Sequence, residues 1–463
     1  MKKLIAAVAG VILVAYLASP LAIGFIAQRQ FPVIMEAASI GAPQWHADGF
    51  QRGYLHSSAE STLSIPVSGR QPLVIHLHHS IAQRLGTDLS IAEVTTTPVL
   101  RGDNKAQLEH LFGGKSPFTV HTVFYADGRY TSTVEAPAIA YQVLPGNPAI
   151  HVGFAGLSGA FSGNANPRTM KYRLASSGFE IQNDKTHVHV AANGLALSGD
   201  AQLPKRWLQL GGGVFSIDKV LVRPAGTAPA EMDSMRIAVK TQRETDGLGF
   251  RYHIRIASLS APPTVKVTNL VFEMAGHHLD EKSVESFAER LTSVGRLHLQ
   301  PAQAAPLYRS ALQSTAAGFL AHSPQVQIQR LGFDLPDGPV RLTADATFDG
   351  AGFKRVDDPD NIKRLSVDAS LKAPASAVHT LVVDLLRPKA AAYVKARKPD
   401  ATPAQIADLT ARMADQTIQN LLNSNLMSDQ HGTYVSALAL HGGALTVNGK
   451  PIPLPPLPRA AAH

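Results

Sequence analysis

The sequence predicts a mainly β (α+β) protein. A single N-terminal transmembrane helix precedes a large antiparallel β-rich extracytoplasmic region with a few amphipathic helices, mostly in the C-terminal half. Three observations carry this. An uncharged apolar run follows Met1, Lys2 and Lys3; apolar and polar residues alternate with a period of two over much of the remaining chain; and Asn-Gly and Asp-Gly pairs punctuate that alternation. Divided this way, the chain has a cytoplasmic tip (1–3), an anchor (4–27) and an N-terminal β-rich region (28–275). A β-rich region with helices and a closing hairpin (276–450) and a Pro-rich disordered tail (451–463) complete it.

Composition narrows the choices before any motif is read. The 463 residues are 45% hydrophobic and only 17% charged, against roughly 25% charged in an average soluble domain. With no cysteine, disulfide scaffolds, thiol nucleophiles, Fe–S clusters and zinc-finger ligation are excluded. A balance of 43 Lys+Arg against 35 Asp+Glu is mild for this length and forms no dense basic block, so a nucleic-acid partner is not expected.

From Leu4 to Ile26 the chain is broken only by Ser19 and Pro20, and Leu4, Ile12, Leu13, Leu17, Ile23 and Ile26 are among its large apolar positions. As a helix this run reaches roughly 34 Å, enough for a hydrocarbon core of about 30 Å. A cleaved signal peptide would have an apolar stretch of about 7–15 residues and small residues at its cleavage site. Here Tyr16 sits badly before Ala18, and cutting after Ser19 would leave Pro20 beside the cut. An uncleaved anchor is the better reading. The lysines before the span put the N-terminus in the cytoplasm and everything beyond Arg29 on the far side.

Gln28 to Ile40 then reads as a short helix. In Tyr54–Val67 the positions Leu55, Ser57, Ala59, Ser61, Leu63, Ile65 and Val67 share a strand face, and in Pro72–His78 Leu73, Ile75 and Leu77 oppose Val74, His76 and His78. Asp127-Gly128, Asn193-Gly194, Asp246-Gly247, Asp337-Gly338 and Asn448-Gly449 are each read as a tight hairpin turn, because these pairs accept positive φ. The clearest hairpin surrounds Asp337-Gly338, with Leu331, Phe333 and Leu335 before it and Val340, Leu342, Ala344, Ala346 and Phe348 after it. Helices are expected after Asp280, over Pro306–Leu320, on either side of Pro388, and from Thr402 as cap with Pro403 in the first turn. Five prolines after Lys450 mark the tail as unable to pair centrally in a sheet.

The sequence holds no nucleophile elbow, metalloprotease helix, dinucleotide fingerprint or calcium loop, and Gly113-Gly114-Lys115-Ser116 lacks the earlier glycine of a phosphate loop, with Glu109 in its place. No catalytic residue and no cofactor are assigned. Two His-x-His pairs, His76/His78 and His187/His189, are the metal-ligand candidates, since i and i+2 share a strand face. The bland alternative is a solvated face, because apolar neighbours occupy the other side.

Phe50-Gln51-Arg52-Gly53-Tyr54-Leu55-His56-Ser57-Ser58, following the span and short helix, resembles a strand of the YdgA-like family of bacterial envelope proteins. Tyr434 followed by Gly443–Pro451, including Asn448 and Gly449, resembles that family's closing hairpin. The positions carrying the likeness are Arg52, Gly53, Tyr54, Ser57, Ser58, Asn448 and Gly449; His78-His79-Ser80-Ile81 departs from the family's His-Gly-Pro segment. The resemblance implies an inner-membrane anchor and a periplasmic β-rich domain, and supplies no catalytic residue. The expectation is therefore an envelope scaffold or apolar-ligand binder, with the inner membrane, a lipid, an envelope protein or a second copy of the chain as partner. A periplasmic metal-dependent hydrolase using a His-x-His pair and a purely structural tethered module are the alternatives.

Overall fold

The computed structural model describes residues 19–32, 35, 44–65, 72–83, 85–101, 105–144, 147–165, 168–205, 208–261, 265–295, 299, 301–398 and 400–454. The chain falls into two units, Met1–Pro229 with Lys282–Thr315 and Ala230–Glu281 with Ala316–His463. All the strand pairings described within the units are antiparallel, as the hairpin punctuation predicts.

The first unit begins with α1, helical over 19–32. Its strands are β1 (Gln44–Gln51), β2 (His56–Ile65), β3 (Leu73–Gln83), β4 (Ser90–Pro98), β5 (Thr119–Tyr125), β6 (Arg129–Ala136), β7 (Ile139–Leu144), β8 (Asn147–Phe154), β9 (Leu157–Ala165), β10 (Arg168–Asn183), β11 (Val188–Gln202) and β12 (Leu210–Arg223), with α2 (Lys105–Leu111) between β4 and β5. Strands β1 to β6 form a meander, and β6 then pairs with β9. The 16-residue β10 is long enough to hold two partners on one edge, β9 along its first half and β8 along its second. Gly156, at φ 84°, makes the bend between those two partners. Helix α3 (Glu281–Gly295) and most of α4 (Pro301–Ala321) complete this unit.

The second unit runs β13 (Ala230–Glu244), β14 (Gly247–Ala261), β15 (Val265–Leu279), β16 (Gln325–Leu335), β17 (Gly338–Phe348), α5 (Asn361–Arg364), β18 (Leu365–Pro374), α6 (Ala375–Arg397), α7 (Pro403–Asn423), β19 (Ser428–Gln430), β20 (Thr433–His441), β21 (Ala444–Val447) and β22 (Lys450–Ile452). The two helices α6 and α7 pack on each other, and α6 lies on β17, β18 and β20. Its first turn closes a small core of Val340, Ala373 and Ala377 with Phe333, Leu335, Leu371 and Val378. The cap expected at Thr402 is present as a reciprocal pair. Gln405 N donates to Thr402 Oγ1 at 3.3 Å, and Thr402 N donates to Gln405 Oε1 at 3.2 Å.

Four of the five predicted turns join strands. The exception is Asn193-Gly194, which lies inside β11; Asn193 pairs with Gly178 on one side and Lys219 on the other. Here the positive φ of Gly194 (66°) kinks a long strand instead of reversing it. Pro388 does not separate two helices but sits within α6, and α4 starts at Pro301, five residues before the expected Pro306. A helix packed along a neighbour can tolerate the missing N–H of an internal proline. Part of the tail also pairs: Pro451 lies opposite Thr446 in the short edge strand β22, an allowed place for proline, while 455–463 are outside the described residues.

The anchor and the short helix expected after it do not separate at residue 27, because α1 runs through that point. Ile23 packs against the core under this helix, whereas Leu4, Ile12, Leu13 and Leu17 lie outside the described residues. Among the described residues, no helix is long and apolar enough to cross a membrane.

Candidate functional site

The most constrained polar cluster in the first unit lies under α1, on β2, β3 and β4. Alternation along β3 points Leu77, His79, Ile81 and Gln83 inward, and pairing places Ala59 and Ser57 of β2 beside His79 and Ile81. Phe31 of α1 packs on Ala59, Ile81 and Ala92, with Ile23, Phe50, Val94 and Phe124 around them. The Phe31 ring meets the His79 imidazole edge-on at 5.3 Å.

His79 is held at both ring nitrogens. Its Nε2 lies 2.8 Å from Ser61 Oγ and its Nδ1 lies 2.8 Å from Thr96 Oγ1. Neutral imidazole satisfies this with one N–H donor and one acceptor. Burial, helped by the neighbouring His78, pushes its pKa down from 6.5 to about 4. The ring is therefore neutral near pH 7. Its partners are two hydroxyls, and among the described residues no carboxylate bonds to the ring, so the arrangement orients three side chains without the acid of a hydrolytic triad.

Four residues further along β3, Gln83 donates from Nε2 to Ser57 Oγ, which also accepts from Gly53 N at 3.1 Å. Gln83 Oε1 is buried with no hydrogen-bond partner among the described residues. Helix α1 closes over it at Gly24, where a Cβ would lie 2.6 Å from that oxygen. Gly53 has no room for a side chain either, since a Cβ there would run into the carbonyl oxygen of His56. Thus Gly53 and Ser57 of the family-like segment make a tight turn tied to the sheet. Ser58 faces away from this cluster, opposite Ser80. The C-terminal pair behaves alike: Asn448 (φ 49°) and Gly449 (φ 75°) form the β21–β22 turn, and Asn448 Nδ2 donates to Asn425 O at 2.9 Å.

The two His-x-His pairs fare differently. His76 and His78 do share a face of β3, but His76 Nδ1 lies 3.0 Å from Thr62 Oγ1, and the carboxylate opposite His78, Glu60, faces Arg101 at 3.6 Å. His187 and His189 do not share a strand face. His187 occupies the β10–β11 turn at φ 50°, because that turn extends one residue further than the alternation predicts, and His189 Nε2 pairs with Glu180 Oε1 at 2.7 Å. Among the described residues, no three His, Asp or Glu side chains are placed to hold a metal. Sequence reading passed over His79 and Gln83. Carrying the Leu73, Ile75, Leu77 alternation onward would have placed both on the inward face.

A second feature runs along the sheets themselves. In the first unit Phe161, Tyr172, Leu174, Leu197 and Phe215 lie on one face of β9 to β12, with Tyr172 reaching across Gly199 and Gly213. In the second unit Met235, Ile237 and Val239 of β13 stand opposite Ile256, Ile254 and Tyr252 of β14, which in turn face Leu270, Phe272 and Met274 of β15. None of these side chains is buried, and Val239 is 42% exposed. The reverse face of β13 and β14 is basic: Arg236 is opposite Arg255, and Lys240 is opposite Arg251. A shallow hollow of about 540 Å³ also crosses β9 to β12 on the other face of the first sheet, lined by small residues such as Ser158, Ala175, Ala196 and Ser216.

Compared with protein families, residues 1–455 match the model of a bacterial protein family of unknown function, DUF945. The chain belongs to that family. No curated protein and no solved structure matches it. Membership of DUF945 covers both units, and so both the α1 cluster and the apolar faces.

Proposed function

We propose that this DUF945 protein is a single-span protein of the bacterial inner membrane with its β-rich body in the periplasm. It works by binding, not by chemistry, and its ligand is apolar, of the lipid acyl-chain class. The observation that carries this is the face of β13 to β15, nine large apolar side chains in register, none of them buried. Fully burying such a side chain is worth about 1.5–3 kcal/mol, so a half-covered row of them is a standing attraction for another apolar surface. As a helix the uncharged residues 4–18 reach about 22 Å, which crosses a bilayer that thins locally around a short span, and so they support the anchor.

The test is to purify the full chain in a mild detergent, exchange it extensively, extract it with organic solvent and measure lipids by mass spectrometry. A stoichiometric lipid that persists through exchange supports the reading. A chain that emerges empty while staying folded and monodisperse counts against it, and turns the face toward a protein partner.

A further inference from the structure

Helix α1 has two apolar faces. Pro20, Ile23, Gly24, Ala27 and Phe31 turn toward the sheet, at the spacing of one helical stripe. On its other side, Leu21, Phe25 and Ile26 point outward, and the next outward residues are Gln28, Arg29 and Gln30. From Pro20 to Ala27 the helix is thus apolar all round, and it becomes two-sided immediately after, the pattern of a helix crossing from an apolar medium into water.

The β1–β2 turn stands at the same level. Arg52 places its guanidinium 5.3 Å from the Phe25 ring centroid. The turn enforced by Gly53 then presents Tyr54 and Leu55, and Gln83 N donates to Leu55 O at 2.8 Å, which fixes that presentation to β3. Leu21, Phe25, Ile26, Tyr54 and Leu55 are each between 46% and 59% exposed. Five large apolar or aromatic side chains with an arginine among them are costly to leave in water. They suit the headgroup boundary, where aromatic rings and snorkelling cations sit well.

We infer that α1 and the Arg52–Leu55 turn form a membrane-interface contact: Phe25, Tyr54 and Leu55 enter the boundary of the bilayer while Arg52 reaches lipid phosphates. The occupant is the bilayer itself because the uncharged residues 4–18 lead directly into this helix, so the patch stands where that run would leave the membrane. The inference rests on the anchor reading above and adds that the sheet is seated on the lipid surface, not held away from it on a free linker. It also gives the family-like segment a physical role, in which Gly53 and Ser57 shape the turn and its tip meets lipid.

The chain has no cysteine, so Leu55→Cys and Tyr54→Cys each give one labelling site for an environment-sensitive fluorophore. The full chain is reconstituted in vesicles of phosphatidylethanolamine and phosphatidylglycerol, with and without lipids carrying a nitroxide near the headgroup. The expected result is loss of most of the fluorescence from either site with nitroxide lipid and little quenching by aqueous iodide. Carbonate washing of the same vesicles reports the anchor separately. Protein that resists carbonate but shows iodide quenching and no lipid quenching at both sites overturns the contact while leaving the anchor intact. Protein released by carbonate overturns the anchor reading and the contact with it.

Discussion

Replacing His79 by glutamine should flatten the acid dependence of the first unit's stability. In the folded chain the imidazole is buried between Ser61 and Thr96, and its pKa falls from 6.5 to about 4. Between those two values the unfolded chain binds more protons than the folded one, so stability rises with pH. The contribution is fully present above about pH 6.5, drains away as pH falls, and is gone below about pH 4. Each tenfold loss of proton affinity is worth about 1.4 kcal/mol, so the depression amounts to about 3 kcal/mol. Urea unfolding of the full chain, followed at Trp45 with Trp207 replaced by phenylalanine, measures this in the strand beside the cluster. Wild type should lose about 3 kcal/mol more than His79→Gln between pH 7 and pH 4. Other titrating groups are common to both proteins and cancel in that difference. Parallel pH profiles for the two would refute a buried neutral His79.

Other expectations follow from the same geometry. Gly24→Ala drives a methyl group into the buried Gln83 Oε1 and should cost about 1–3 kcal/mol at Trp45, with Gln83→Ala relieving much of the penalty in the double variant. Phe31→Ala removes the ring over Ala59, Ile81 and Ala92 and should cost about 3–5 kcal/mol, read by the same unfolding curve. Asn448→Ala should cost about 1–3 kcal/mol in the second unit, because it places alanine at φ 49° and leaves Asn425 O without its donor, visible as a lowered thermal midpoint. Arg236→Ser separates a like-charged cross-strand pair that has no acidic partner within ion-pair distance among the described residues. It should raise the thermal midpoint at low salt and lose that gain at high salt.

Much of the fold was legible because alternation and turn chemistry act locally. The hairpin at Asp337-Gly338, with Leu331 facing Leu342, Phe333 facing Val340 and Leu335 opposite Gly338, needs only neighbouring residues to specify it, and β16 and β17 follow that reading. The cap at Thr402 is equally local. Asn193-Gly194 misled because the same positive φ serves a turn or a kink, and the choice depends on β10 and β12 holding β11 on both sides. Likewise Pro388 breaks an isolated helix, whereas α6 has α7 and the sheet against it.

The site was less legible for a related reason. His76 and His78 advertise themselves as a pair, yet the structurally decisive histidine is His79, marked only by its phase along β3. Its role depends on Ser61 and Thr96, which lie 18 and 17 residues away in the chain and meet it only through the β2–β3–β4 register. The half-covered apolar faces are readable as alternation, but alternation does not say whether something covers them. Burial does: β13 to β15 keep their apolar rows partly exposed, while α6 covers the face of β17 and β18.

If the apolar face of the long strands holds lipid, site-specific photocrosslinking in living cells will capture it there. A photoreactive amino acid at Ile254 reports the apolar face, and one at the adjacent Arg255 reports the basic face of the same strand. Irradiation followed by mass spectrometry of the purified protein should give a lipid adduct at Ile254 and none at Arg255. Absence of a lipid adduct at Ile254, or equal adducts at both positions, would contradict it.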